Sequence, residues 1–99
     1  MDIIKEIGEA AALEQLAEEC AELGHAALKM ARIIRGENPT PRTRAEVLEE
    51  LSEEANDVLS CIHLLRANKS LYLDEGQAAE KMKRWKWRIS EARGVKHES

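Results

Sequence analysis

The fold is decided by residues 13–34, which read LEQLAEECAELGHAALKMARII. Apolar side chains recur there at alternating spacings of three and four residues, which is the pattern of one face of an α-helix. The members of this first apolar seam are Leu13, Leu16, Cys20, Leu23, Ala27, Met30 and Ile34. Gly36 follows the seam and is a typical helix stop. We therefore predict a long helix over residues 9–35, preceded by a short helical turn over residues 2–8.

A second helix of the same kind is predicted over residues 44–68. Thr43 and Glu46 form the S/T-x-x-E pattern of a capping box, which satisfies the first backbone amides of a helix. The second apolar seam follows at the same spacings and consists of Leu48, Leu51, Ala55, Val58, Ile62 and Leu65. Residues 36–43, between the two helices, contain both prolines of the chain and are predicted to form a loop.

A third, shorter helix is predicted over residues 74–93, with Asp74 as its N-cap. The expected buried face of this helix consists of Ala78, Met82, Trp85 and Ile89. The chain has three aromatic residues, five glycines and two prolines, too few for the strands and tight turns of a β-sandwich or barrel. We predict an all-α fold, an antiparallel helical bundle in which one domain spans residues 1–99.

Composition limits the environment of the protein. The chain is 43% hydrophobic and 34% charged, which excludes a disordered chain and a membrane-embedded one. It has no run of 18 apolar residues and no signal-peptide layout, so we expect a cytoplasmic protein without a membrane partner. Cys20 and Cys61 each lie inside an apolar helical repeat and are expected to be buried, reduced thiols. Because 99 residues bury only a thin core, we expect a homodimer or homotetramer to complete the bundle.

Two acidic pairs occupy equivalent places in the two long helices. Glu19 and Glu22 are three residues apart in the first helix, as are Glu54 and Asp57 in the second. Residues three apart lie on the same side of a helix, so antiparallel neighbours would bring four carboxylates together. Four like charges need a cation, and oxygen ligands favour Mg²⁺ or Mn²⁺ over zinc. The alternative is that a chain with 19 acids forms such pairs by chance on solvated helix faces.

The acidic pairs are also the specific part of a family resemblance. Residues 16–23, LAEECAEL, followed by residues 54–57, EAND, resemble the E-E-x-x-E … E-x-x-D signature of MazG-like, all-α nucleoside triphosphate pyrophosphohydrolases. Residues 81–89, KMKRWKWRI, resemble the basic K-x-x-R-x-x-x-R stretch of a later helix in that family. The resemblance covers about residues 10–90, with a longer spacing between the two acidic motifs. It implies hydrolysis of an NTP or dNTP to the monophosphate and pyrophosphate, with Mg²⁺, or alternatively Mn²⁺, as the cofactor.

The resemblance also implies roles for individual residues. The implied metal ligands are Glu19, Glu22, Glu54 and Asp57. The implied catalytic residues are Glu19 and Glu18, the latter to orient or deprotonate water. The implied substrate-binding residues are Lys81, Arg84 and Arg88 for the phosphates, with Asn68 as a weaker match. The preferred base and sugar and the number of metal ions are left open.

Two other functions remain open on the sequence. Glu22 and His25 form an E-x-x-H pair, which in a homodimer is typical of a di-iron carboxylate bundle, but His25 is expected to point away from the seam. Residues 81–88 contain five bases and two tryptophans, a combination found in non-enzymatic modules that bind nucleic acid. The chain before this basic stretch is acidic and the net charge of the whole chain is −4, which argues against a polyanionic partner.

Overall fold

The chain folds into helices joined by short segments, as described by a computed structural model over residues 1–37 and 41–94. All regular secondary structure in these two ranges is α-helical. The helices are α1 (Ile3–Ile7), α2 (Glu9–Arg35), α3 (Arg44–Ala67) and α4 (Glu75–Ala92). The prediction of an all-α fold is therefore confirmed. Part of the predicted loop over residues 36–43, including Pro39, lies outside the described residues.

Local chemistry determines where the long helices begin and end. Thr43 Oγ1 accepts a hydrogen bond from the backbone of Glu46, and the Glu46 side chain accepts one from the backbone of Thr43, both at 3.1 Å. The predicted capping box at the start of α3 is thus present. Asp74 caps α4 by accepting a hydrogen bond from the backbone of Gln77. Gly36 ends α2 with a φ of 71°, a left-handed conformation that glycine adopts without steric cost.

The core of the chain lies between α2 and α3, the two long helices that pack together. Its buried apolar residues are Ala12, Ala26, Met30, Val47, Val58 and Leu65. Glu9, at the start of α2, accepts hydrogen bonds from Asn68 and Ser70, which follow α3. Lys29, near the end of α2, pairs with Glu50 in the first half of α3. These contacts fix the register of the pair along its length.

The contact face of α2 keeps the seam residues Leu16, Leu23 and Met30 but is rotated from the predicted seam by about half of the 100° step between successive residues. The seam residues Leu13, Cys20, Ala27 and Ile34 are exposed. The residues that precede them are buried or half-buried instead, and these are Ala12, Glu19, Ala26 and Ile33. The prediction that Cys20 is a buried thiol is therefore wrong. The small Ala12 and Ala26 in this face favour a close approach of the two helices, because the distance between packed helices depends on the side chains at the contact.

The contact face of α3 is rotated in the same sense. Val47 is 1% exposed, whereas the predicted core residue Leu48 is 52% exposed. Glu54 is half-buried, whereas the predicted seam residue Ala55 is exposed. Leu65 turns inward as predicted and is fully buried. As a consequence, each long helix places a glutamate in its contact face.

α4 does not pack against the α2–α3 pair. None of its residues is buried, and the predicted core residues Met82, Trp85 and Ile89 are between 42% and 54% exposed. The prediction that this face joins the core of the same chain is wrong. The radius of gyration is 18.0 Å, compared with about 13 Å for a compact chain of this length. The extended position of α4 accounts for this difference.

A cluster of hydrogen bonds fixes the chain where it leaves α3. Ser70 Oγ donates to Glu9 Oε2 at 2.6 Å, and Asn68 Nδ2 donates to the same oxygen at 3.3 Å. Asn68 Nδ2 also donates to Ser70 Oγ at 2.8 Å. Lys69, between them, has a φ of 61°, which is uncommon for a residue other than glycine. The segment that leads to α4 is thereby tied to the start of α2.

Candidate metal centre

Three carboxylates meet in the contact between α2 and α3. One carboxylate oxygen from each of Glu19, Glu22 and Glu54 lies within 4.8 Å of the other two. The structure therefore brings together three of the four side chains that the sequence singled out as metal ligands. Because two of them come from α2 and one from α3, the cluster exists only when these helices are packed.

Two oxygens of this carboxylate cluster are buried without a hydrogen-bond partner. They are Oε2 of Glu19 and Oε2 of Glu54. The other oxygen of Glu19 accepts a hydrogen bond from Gln15 Nε2 at 2.8 Å. A buried carboxylate oxygen without a donor has lost its hydration without compensation. The three side chains offer only hard oxygen ligands, which is the donor set that suits Mg²⁺ or Mn²⁺.

The electrostatics of the cluster oppose three simultaneous negative charges. Burial raises the pKa of Glu54 above its ordinary value, and a hydrogen bond shared with Glu22 raises it further. The negative charges of Glu22, Asp57 and Glu19 act in the same direction. The folded chain therefore holds a proton at Glu54 up to a higher pH than the unfolded chain does. A bound cation would offset the negative charges of the neighbouring carboxylates and so favour the ionised form of Glu54.

Asp57 and Glu18 are not among the three carboxylates of the cluster. Asp57 is exposed and is not among the three carboxylates that meet the distance for a shared ligand. It is still close enough for its charge to raise the pKa of Glu54. Glu18 is exposed on α2, next to Glu19 and about 100° around the helix from it.

The predicted phosphate-binding residues are not brought to the carboxylates within one chain. Lys81, Arg84 and Arg88 lie on α4, which does not pack against the α2–α3 pair. Asn68 lies 14 residues beyond Glu54, which is about 21 Å along a helix. Its side chain is engaged by Glu9 and Ser70 instead.

Two neighbours of the carboxylate cluster were missed by the sequence analysis. Gln15 precedes Glu19 by four residues, a spacing at which side chains on a helix meet, so its hydrogen bond could have been anticipated. Cys61 faces the cluster from α3: burial raises the pKa of its thiol, and the charges of Glu19 and Asp57 raise it further. No spacing rule within one helix connects Cys61 to a residue of α2.

An apolar cavity of about 230 Å³ lies next to the carboxylate cluster. It is formed where α1 meets the long helices, and its lining includes Ile3, Ile7, Ala12, Gln15, Cys61 and Leu64. Gln15 and Cys61 line the cavity and also neighbour the carboxylates. The apolar cavity therefore adjoins the carboxylate cluster.

Comparison with known proteins assigns the chain to no family. No protein-family model, no curated protein and no solved structure matches it. Over the described residues, no helix combines the length and the apolar character needed to cross a membrane.

Proposed function

We propose that this protein is a Mg²⁺-dependent, MazG-like nucleoside triphosphate pyrophosphohydrolase that converts an NTP or dNTP to the monophosphate and pyrophosphate. The observation that carries the proposal is the cluster of Glu19, Glu22 and Glu54, in which two buried oxygens lack a partner. The resemblance of the two acidic motifs to that family supports the same residues. Mn²⁺ is the alternative metal.

The proposal includes the antiparallel arrangement of α2 and α3. The contacts of Glu9 with Asn68 and of Lys29 with Glu50 support it, since each joins an early residue of one helix to a late residue of the other. With this arrangement the two acidic motifs lie opposite each other at the middle of the pair. The two motifs, which are far apart in the sequence, then form one site.

The carboxylates have distinct roles in the proposed reaction. Glu19, Glu22 and Glu54 hold the cation, and Asp57 completes the negative charge at its edge. A divalent cation bound there supplies positive charge to phosphate oxygens and lowers the pKa of nearby water. Glu18 is the proposed base that takes the proton of the attacking water. Water adds to the nucleotide as the α–β phosphoanhydride bond breaks, giving the monophosphate and pyrophosphate.

The remaining parts of the substrate need further groups. The apolar cavity beside the cluster is the candidate site for the base, because it is lined by apolar side chains and by the amide of Gln15. Lys81, Arg84 and Arg88 can contact the phosphates only if α4 approaches the carboxylates, in the same chain or in another copy. The proposal therefore includes a homodimer or homotetramer, in which α4 of another copy can approach the carboxylates. It also includes a cytoplasmic location and Asn68 as a more distant substrate contact.

A second candidate function is favoured by the exposure of α4. Trp85 is 54% exposed, and Lys81 and Arg84 flank it on α4, which does not pack against the α2–α3 pair. An exposed tryptophan among bases can stack on a base and contact phosphates in single-stranded nucleic acid. Salt-sensitive binding of an oligonucleotide without nucleotide hydrolysis would favour this module over the enzyme. The di-iron alternative gains no support, because His25 is exposed and the carboxylate cluster does not include it.

The enzymatic proposal is tested with a panel of ribo- and deoxyribonucleoside triphosphates in the presence of Mg²⁺. We expect release of pyrophosphate rather than orthophosphate, and loss of turnover in Glu19→Gln, Glu22→Gln, Glu54→Gln and Asp57→Asn. Glu53→Gln is the matched control, because Glu53 is an exposed acid on α3 outside the cluster. Full turnover by any two of the four cluster variants, at unchanged metal concentration, would refute the assignment.

A further inference from the structure

Gln15 connects the carboxylate cluster to the apolar cavity beside it. Its amide nitrogen, Nε2, donates a hydrogen bond to Glu19 Oε1 at 2.8 Å. The same side chain lines the cavity, together with Ile3 and Ile7 of α1. One short side chain therefore contacts both a carboxylate of the candidate metal centre and the space that the proposed function gives to the base.

The chemistry of the two side chains fixes the orientation of the Gln15 amide. The oxygens of an ionised carboxylate only accept hydrogen bonds, so the amide nitrogen must be the atom that faces Glu19. The amide oxygen is consequently directed away from that carboxylate. The orientation of the amide thus follows from the identity of its partner.

This hydrogen bond places the two oxygens of Glu19 in different environments. Oε1 accepts from Gln15, whereas Oε2 is buried without a partner. The terminal torsion of a glutamate side chain is broadly distributed when nothing restrains it. A donor on Oε1 therefore decides which oxygen of Glu19 is held and which is left for a cation.

An uncharged donor is well suited to a residue beside a cation site. A lysine or arginine at position 15 would also bind Glu19, but its positive charge would repel a divalent cation and neutralise the carboxylate. The amide of Gln15 supplies the hydrogen bond without a charge. When the donor to a metal-binding carboxylate is removed, metal affinity typically falls about 10- to 100-fold.

The contact with the cavity adds a second effect. Gln15 is exposed, and a long exposed side chain loses rotamer freedom when it is held in one conformation. A molecule in the cavity packs against Gln15 and so removes part of that freedom before the cation binds. Holding Glu19 then costs less conformational entropy, which favours the cation.

We propose that Gln15 is a positioning residue, which holds Glu19 for the cation and makes the cation and a nucleobase in the apolar cavity bind with positive coupling. The inference rests on the proposed function, because that proposal places a cation at the carboxylates and a base in the cavity. Coupling of this kind is reciprocal. The factor by which the base raises the affinity for the cation equals the factor by which the cation raises the affinity for the base.

The first experiment measures the affinity of the full chain for Mn²⁺ by calorimetry, without nucleotide. We expect Gln15→Met to raise the Kd for Mn²⁺ at least about tenfold, because methionine has a similar length but donates no hydrogen bond. Gln15→Ala should have the same effect. Gln77→Met is the matched control, because Gln77 is the other glutamine of the chain and is exposed on α4. It should leave the Kd unchanged.

A purely structural role of Gln15 predicts a different result. A hydrogen bond between residues four apart stabilises a helix, so its loss would lower the melting temperature of the metal-free protein and leave the Kd for Mn²⁺ unchanged. We expect the reverse, with nearly equal melting temperatures and equal helix content by circular dichroism. An unchanged Kd in both Gln15→Met and Gln15→Ala would overturn the proposal.

The second experiment measures the coupling. The Kd for Mn²⁺ is compared with and without each of four nucleosides, namely cytidine, uridine, adenosine and guanosine, which carry no phosphate to bind the metal. We expect at least one nucleoside to lower the Kd of the parent at least about fivefold, and Gln15→Met to abolish this change. No effect of any nucleoside, or an equal effect in parent and variant, would contradict the coupling.

The outcomes distinguish this inference from the proposed function. A parent that hydrolyses nucleoside triphosphates, but whose affinity for Mn²⁺ does not depend on Gln15, overturns the inference alone. A parent that shows the Gln15-dependent affinity and coupling but hydrolyses no nucleotide refutes the pyrophosphohydrolase alone. A parent that binds no Mn²⁺ contradicts both.

Discussion

Lys29 Nζ lies 3.1 Å from Glu50 Oε1 across the α2–α3 contact, and Arg42 Nη1 lies 2.6 Å from the other oxygen of the same carboxylate. Glu50 therefore joins a cation of α2 to a cation of the segment that leads into α3. Hydrogen bonds from Lys29 and then from Arg42 hold the pKa of Glu50 below its ordinary value. This carboxylate thus connects the two long helices on the same side as the carboxylate cluster.

The lowered pKa of Glu50 predicts a pH-dependent contribution to stability. The contribution is fully present above the ordinary pKa of a glutamate and is lost as the pH falls through the lower pKa of the folded state. We expect Glu50→Gln to melt at a lower temperature than the parent at neutral pH, and the difference to shrink as the pH falls below that range. Thermal melts of parent and variant across this pH range test the prediction. Glu53→Gln, which removes an exposed acid one turn further along α3, should show a smaller difference at neutral pH.

The core between α2 and α3 predicts a sharp contrast between two leucines. Leu65 is fully buried, whereas Leu73 is 52% exposed beyond the end of α3. Leu65→Ala should lower the free energy of unfolding by about 2–5 kcal/mol, because it removes buried methyl groups and leaves a cavity. Leu73→Ala should change it by less than about 1 kcal/mol. Urea denaturation of both variants measures these values, and equal losses would contradict the assignment of the core.

Repulsion within the carboxylate cluster predicts an unusual stabilising substitution. Because the pKa of Glu54 is raised, its ionisation weakens the folded state as the pH rises above the ordinary value of 4.5. In metal-free buffer we expect Glu54→Gln to melt above the parent at neutral pH, with the advantage disappearing toward pH 4.5. Added Mg²⁺ should raise the melting temperature of the parent and have less effect on the variant. A parent that melts at the same temperature with and without Mg²⁺ would remove the support for a metal centre.

The helix ends were predictable from the sequence because they depend on nearest neighbours. The Thr43–Glu46 capping box, the Asp74 cap and the Gly36 stop each involve residues within a few positions of one another. The orientation of α2 about its own axis was not predictable in the same way. Leu13 and Cys20 of the predicted seam are exposed, whereas the neighbouring Ala12 and Ala26 are buried in the contact.

The candidate site was predictable only where it depends on residues close together in one helix. Glu19 and Glu22 lie three residues apart on one helix, so their proximity follows from helix geometry alone. Glu54 joins them because both contact faces are rotated toward the residues that precede the predicted seams, which turns Glu19 and Glu54 inward. The position of α4 could not be read from its amphipathic pattern. The apolar spacing of Met82, Trp85 and Ile89 indicates that this face of α4 packs against another surface, but it does not identify that surface.

Lys81, Arg84 and Arg88 form a basic stripe on α4. Two interpretations of this stripe predict different effects of alanine substitutions on turnover. These residues recur at spacings of three and four, so they lie on one side of the helix. If the stripe is a solvated surface, replacing one cation by alanine should change stability by about 0–1 kcal/mol and leave turnover intact. If it binds the triphosphate, the loss should resemble that of a donor to a developing anion, about 2.7–4 kcal/mol in the barrier. We expect the second result.

The expected outcome is that Lys81→Ala and Arg84→Ala each lower kcat/KM for the best nucleotide at least about tenfold with little change in melting temperature, and that Arg88→Ala, nearer the helix end, has a weaker effect. Lys83→Ala is the control, because Lys83 lies off the stripe and pairs with Glu80 within α4 at 3.4 Å. Since α4 does not pack on its own α2–α3 pair, a selective loss in the stripe variants means that α4 reaches the carboxylates during catalysis, by closing on its own chain or from a second copy. Mixing Arg84→Ala chains with Glu19→Gln chains separates these two routes, because only a site shared between copies regains activity on mixing. Near-parental kcat/KM in all three stripe variants would mean that the triphosphate is held by other residues.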